Sequence, residues 1–68
     1  MTEFKINGDF IPLVQLLKAT GLIETGGHAK IMVDNGLVVV NGKKEHRKRA
    51  KIKPGDLIEV SGQVIRIV

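Results

Sequence analysis

Sixty-eight residues without a cysteine leave no disulfide and no thiolate metal site, so a small aliphatic core must hold the chain together. Two Phe, with no Trp or Tyr, exclude a single-strand binder that stacks its bases on a row of exposed aromatics. The net charge of +4 is unevenly placed: residues 43–53 hold seven of the eleven cations against one acid, Glu45, while the remainder sums to −2.

A chain of this length is read as a single domain, 1–68, with no linker, internal repeat or low-complexity segment. No apolar run approaches the roughly 18 residues of a membrane-spanning helix. The N-terminus also lacks a basic-then-apolar signal pattern, so a soluble, cytoplasmic protein is expected.

Taken in chain order, "EFKI" alternates weakly and predicts a short first strand, closed by the turn-prone "NGD". "PLVQLLKATG" predicts a helix. Pro12 suits the first helical position, Leu13, Leu16, Leu17 and Thr20 follow the spacing of one buried face, and Gly21 stops it. "TGGHAKIMVDNG" predicts a second helix, capped by Thr25, ended by Gly36, and burying Ala29, Met32 and Val33. Gly26 and Gly27 weaken its first turn. Either they permit a close backbone approach, or they bare the amides of residues 26–28 to an anion at the positive end of the dipole.

Beyond Gly36 the pattern turns to strands. "LVVV" runs into "NG", a strong hairpin signal. "KPGD" fits a type II turn, and "LIEV" and "VIRIV" form a last hairpin about Ser61 and Gly62. The fold class expected is α+β: two helices packed on a small antiparallel sheet, in the order β-α-α-β-β-β-β. Phe4 and Phe10 are assigned to the core.

The basic stretch "KKEHRKRAKIK" is the functional signal. A merely solvated face interleaves acids among its cations, and here only Glu45 does so. Read as extended, it puts Arg47, Arg49, Lys51 and Lys53 on one side, roughly 6.6 Å apart. His46, Lys48, Ala50 and Ile52 then fall on the other. Such a row follows a phosphate backbone, with the arginines forking onto phosphate oxygens and the lysines acting as point charges. Catalysis has little to draw on. Ser61 stands alone in a turn, the acids show no paired arrangement, there is no phosphate-loop motif, and His28 and His46 are isolated beside lysines. No enzyme activity, cofactor or metal is expected.

Four pieces carry a family resemblance: "KATGL", "TGGHAK", "DNGLVVVNGK" and "IKPGDLIEV". The most specific is G-x-V-x-V-N-G-K, followed eleven residues later by P-G-D. Over residues 13–58 the chain resembles the RNA-binding domain named after small-subunit ribosomal protein S-four, the alpha-L RNA-binding motif. In standing alone it is similar to the small bacterial members of the YbcJ/YaaA type. The resemblance implies binding of structured RNA, ribosomal or transfer, through Thr25, Gly26, Gly27, His28 and Lys30, with Lys43 and Lys44. Members often carry basic residues where this chain has Pro12, Gln15, Ala19 and Gly26, and its positive charge lies instead between "NGK" and "PGD".

The expected function is therefore a monomeric, non-catalytic RNA-binding protein. Phosphates would be held by Lys30, Lys43, Lys44, Arg47, Lys48, Arg49, Lys51 and Lys53 and by the amides of residues 26–28. An acidic protein partner and nonspecific duplex DNA are the alternatives.

Overall fold

Period-two alternation builds the centre of the sheet, and 3.6-residue periodicity builds the layer that covers it. The computed structural model describes residues 2–68. Its elements are β1 (Thr2–Phe4), β2 (Ile11–Pro12), α1 (Leu13–Ala19), α2 (Gly26–Asp34), β3 (Val38–Val40), β4 (Lys43–Lys44), β5 (Lys51–Ile52), β6 (Leu57–Val60) and β7 (Gln63–Ile67). Five strands form one sheet in the order β1-β7-β6-β3-β4, and β2 pairs with β5 separately.

The architecture is α+β, as expected, but the main sheet is mixed. β1 pairs parallel with β7, through Thr2 opposite Ile65 and Phe4 opposite Ile67, while the remaining pairs are antiparallel. The two strands come from opposite ends of the chain, so the connection between them is long enough for a parallel crossover. Local alternation carries no information about that direction.

Ile58, Val60, Ile65 and Ile67 point to one face and are buried, while Glu59 and Arg66 between them are exposed. They join Leu13, Leu16 and Leu17 of α1 and Ala29, Met32 and Val33 of α2 in a single apolar cluster. Each fully buried leucine or isoleucine contributes on the order of 1.5–3 kcal/mol. No polar or charged side chain is buried among the described residues.

Both helices end where the sequence places their stops. In α2, Thr25 Oγ1 accepts the His28 amide at 3.1 Å. At the other end Gly36 adopts φ +71°; its N–H reaches Val33 O and that of Leu37 reaches Met32 O, the paired bonds of a Schellman cap. In α1, Pro12 is extended (φ −61°, ψ 141°) and precedes the helix rather than opening it. It offers no side-chain cap, so the first helical amides find partners elsewhere: Leu13 donates to Ala50 O (2.9 Å) and Val14 to Lys48 O (3.0 Å).

The two turn motifs lock together. Asn41 (φ 51°) accepts the Leu57 amide on Oδ1 at 2.8 Å and donates from Nδ2 to Asp56 Oδ1 at 3.0 Å; its own amide donates to Leu57 O. Asp56 Oδ2 in turn accepts the Lys53 amide at 2.8 Å. This clamp explains why "NG" and "PGD" go together. Asn41→Ala removes both side-chain bonds and leaves alanine in a left-handed conformation that costs it roughly 1–2 kcal/mol. A loss of about 2 kcal/mol in stability is expected, read as a fall of about 10 °C in Tm; an unchanged Tm would mean that the clamp does not hold the fold.

Candidate nucleic-acid interface

The cationic stretch is a loop with short strands at its two ends, not one extended strand. Lys43 and Lys44 form β4 beside Val40 and Val39, and the Glu45 amide prolongs the pairing by donating to Val38 O. The chain then turns: Ala50 N–H donates to Arg47 O at 3.1 Å, and only Lys51 and Ile52 return to strand geometry. The expected row of odd-numbered cations at even spacing is therefore not formed. The turn closed by the Ala50–Arg47 bond breaks it, and the Lys48 and Ala50 carbonyls face the α1 amides. Ala50 and Ile52 are buried, as the alternation predicts, while Lys48 is exposed on the same turn as Arg49.

Lys43, Lys44, Arg47, Lys48, Arg49, Lys51 and Lys53 are all exposed. Two of them have partners. Arg47 donates to Glu45 from Nε (3.2 Å), Nη2 (3.3 Å) and its backbone amide (3.0 Å). Lys51 Nζ stands 5.0 Å from the centre of the Phe10 ring. Among the described residues the other five make no ion pair. The Arg47 side chain itself is 80% exposed, so the pair leaves it open to a phosphate.

Hydrogen bonding by the Arg47 side chain, then by its amide, holds the Glu45 carboxyl below its ordinary pKa, and the same pair raises that of Arg47. Because the carboxyl value is lowered on folding, the pair's contribution is present above the unfolded-state value. It is lost as pH falls through the folded-state one. At this exposure the contribution is small.

The glycine-rich helix start lies elsewhere. A Cβ at Gly36, beyond the C-terminus of α2, would come within 3.1 Å of the His46 ring and 3.5 Å of the Lys44 side chain. The loop thus begins at the C-terminal end of α2 and crosses the N-terminal end of α1. Gly26 lies at the opposite end of α2, roughly 13.5 Å away for a helix of nine residues. A single continuous cradle is not what the chain builds. Lys44 instead supplies positive charge to the negative end of α2, whose last turn has no basic residue of its own.

At that other end, Thr25 Oγ1 occupies the His28 amide, which leaves the amides of Gly26 and Gly27 as the first-turn donors without a partner among the described residues. Neither glycine is demanded by packing. A Cβ at Gly27 would meet nothing within 4 Å, and one at Gly26 only the Lys18 side chain at an ordinary 3.6 Å. Thr25, His28 and Lys30 are exposed beside them. Lys18, from the last turn of α1, is the cation that reaches this tip, and sequence reasoning misses it because only the packing of α1 on α2 brings it there. Phe10 is likewise not core: it is 44% exposed, whereas Phe4 packs half-buried against the cluster. No helix is long and apolar enough to cross a membrane among the described residues.

Comparison with known proteins fits this geometry. The model of the S4 domain family matches residues 4–68. "Putative RNA-binding protein YbcJ" of Escherichia coli (strain K12) is 40% identical over 58 residues, 85% of this chain and 83% of that protein. "Probable ribosome maturation protein RlbA" of Bacillus subtilis (strain 168) is 35% identical over 57 residues, covering 84% and 80%. The solution structure of E. coli YbcJ, described as revealing an alpha-L motif involved in RNA binding, superposes with a TM-score of 0.76 at 36% identity. That match covers 100% of this chain and 87% of the other. With the cationic loop and the two turn motifs in place, the chain belongs to the S4 domain family and carries the alpha-L RNA-binding motif.

Proposed function

We propose that the 68-residue chain acts as one unit, a monomeric, cytoplasmic and non-catalytic protein that binds structured RNA, ribosomal or transfer. The observation that carries this reading is the loop of residues 43–53. Its backbone is pinned to α1 and β3, while seven cations project from it, six of them without an ion pair among the described residues. A fixed backbone with unpaired charge suits a polyanion of defined shape. Lys43, Lys44, Arg47, Lys48, Arg49, Lys51 and Lys53 hold phosphates on this loop. Thr25, Gly26, Gly27, His28 and Lys30 form a second contact at the start of α2, with Lys18 beside them. Two contacts a helix length apart favour a folded RNA over a short single strand. The name of the B. subtilis relative, a ribosome maturation protein, points to ribosomal RNA as the first candidate. No cofactor, membrane or small-molecule substrate enters this reading.

Two outcomes are expected. If about five phosphates are neutralised on a duplex stem, affinity falls a few hundred-fold between 50 and 200 mM salt, and Arg49→Ala lowers that slope by about one unit for every RNA tested. A flat salt response refutes the electrostatic reading, and a partner retained after ribonuclease treatment favours an acidic protein instead. Glu45→Gln frees Arg47 from its internal carboxylate and steepens the salt slope. In the wild-type protein, acidification through the Glu45 titration frees Arg47 in the same way, while the variant shows no such step in its affinity. A step of equal size in both proteins would assign it to another group.

A further inference from the structure

The ring that the core leaves out lies against the cationic loop. Ile11 pairs with Ile52 and Pro12 with Lys51, so Phe10, just before them, sits at the margin of β5. It is 44% exposed, and Lys51 Nζ stands 5.0 Å from its centre. The same ring lines a surface groove of about 290 Å³, together with Lys5, Asn7, Pro12 and Gln15. Asn7 and Gln15 are exposed there, and each carboxamide offers both donors and an acceptor.

Folding does not ask for this arrangement. An exposed phenylalanine forfeits the burial that would make it useful to the core, and lysine alone suffices to protect a strand edge. Recognition of an unpaired base asks for these groups in this order: a ring to stack on, amides for the base edge, and cations for the flanking phosphates.

We propose that the Phe10 groove receives one unpaired nucleobase of the structured RNA whose phosphates lie on the 43–53 loop, an inference that rests on the RNA-binding reading above. The base stacks on the Phe10 ring, with the Asn7 and Gln15 amides at its edge. Lys5 and Lys51 take the phosphates on either side of it. A single stacking position gives a preference for a bulge or loop nucleotide within a folded RNA, without requiring a row of aromatics.

The test uses the full chain and two RNA hairpins of identical stem, one fully paired and one carrying a single unpaired adenosine. The bulged hairpin binds about tenfold more tightly, Phe10→Leu brings the two within about twofold of each other, and Phe10→Tyr keeps the difference. In the unmutated protein, proton NMR shifts the Phe10 ring signals upfield with the bulged hairpin alone; the chain has only two phenylalanines to distinguish. Equal affinity for the two hairpins, or a preference that survives Phe10→Leu, overturns the groove and leaves RNA binding by the loop standing. Failure of the unmutated protein to bind either hairpin overturns both.

Discussion

The cationic loop and the first helix complete each other through backbone hydrogen bonds. α1 begins after a proline, without a side-chain cap, and its Leu13 and Val14 amides are satisfied by the carbonyls of Ala50 and Lys48. Buried amides without partners would cost free energy comparable to lost hydrogen bonds. The loop gains as much as the helix does. Turning its carbonyls inward and burying Ala50 and Ile52 leaves Lys48, Arg49 and Lys51 to project outward. A segment with this much like charge would otherwise stay extended and mobile, held apart by its own repulsion. Here the core fixes the backbone, and the side chains provide the field.

A second lock sets the frame around that loop. Asn41 and Asp56 tie the turn before the cations to the turn after them, so the loop is closed at its base by side-chain hydrogen bonds. With both ends and the middle fixed, the positive charge has a definite shape. It also has a definite neighbour, since Lys44 lies at the negative end of α2, where the dipole offsets part of the cost of gathering the cations.

What the sequence made legible was local. Thr25 and Gly36 bound α2, Asn41 with Gly42 and Pro54 with Gly55 mark their turns, and Leu13, Leu16 and Leu17 identify a buried face, each through chemistry confined to a few neighbouring residues. The family motifs pointed to the S4 domain for the same reason: they are turn and cap signals at fixed spacing. What depended on distant partners was hidden. Residues 47–50 turn rather than run extended, and α1 takes the carbonyls of Lys48 and Ala50; β1 runs parallel to β7, across a connection that spans the rest of the chain; and Phe10 is exposed because it falls just outside the β2–β5 pairing, where Ile11 rather than Phe10 packs against the core. The individual cations of the site were visible, whereas their division into a loop and a distant helix tip was not.

On this account RNA settles on the loop side of the molecule and leaves the part of the sheet's outer face away from β4, with Glu59 and Val64, untouched. An amide-resolved NMR titration with a structured RNA at moderate salt tests it directly. Residues 43–53 and the first turn of α2 should shift together and saturate together, while Glu59 and Val64 stay still. Shifts confined to that outer face, with the loop unmoved, would contradict it.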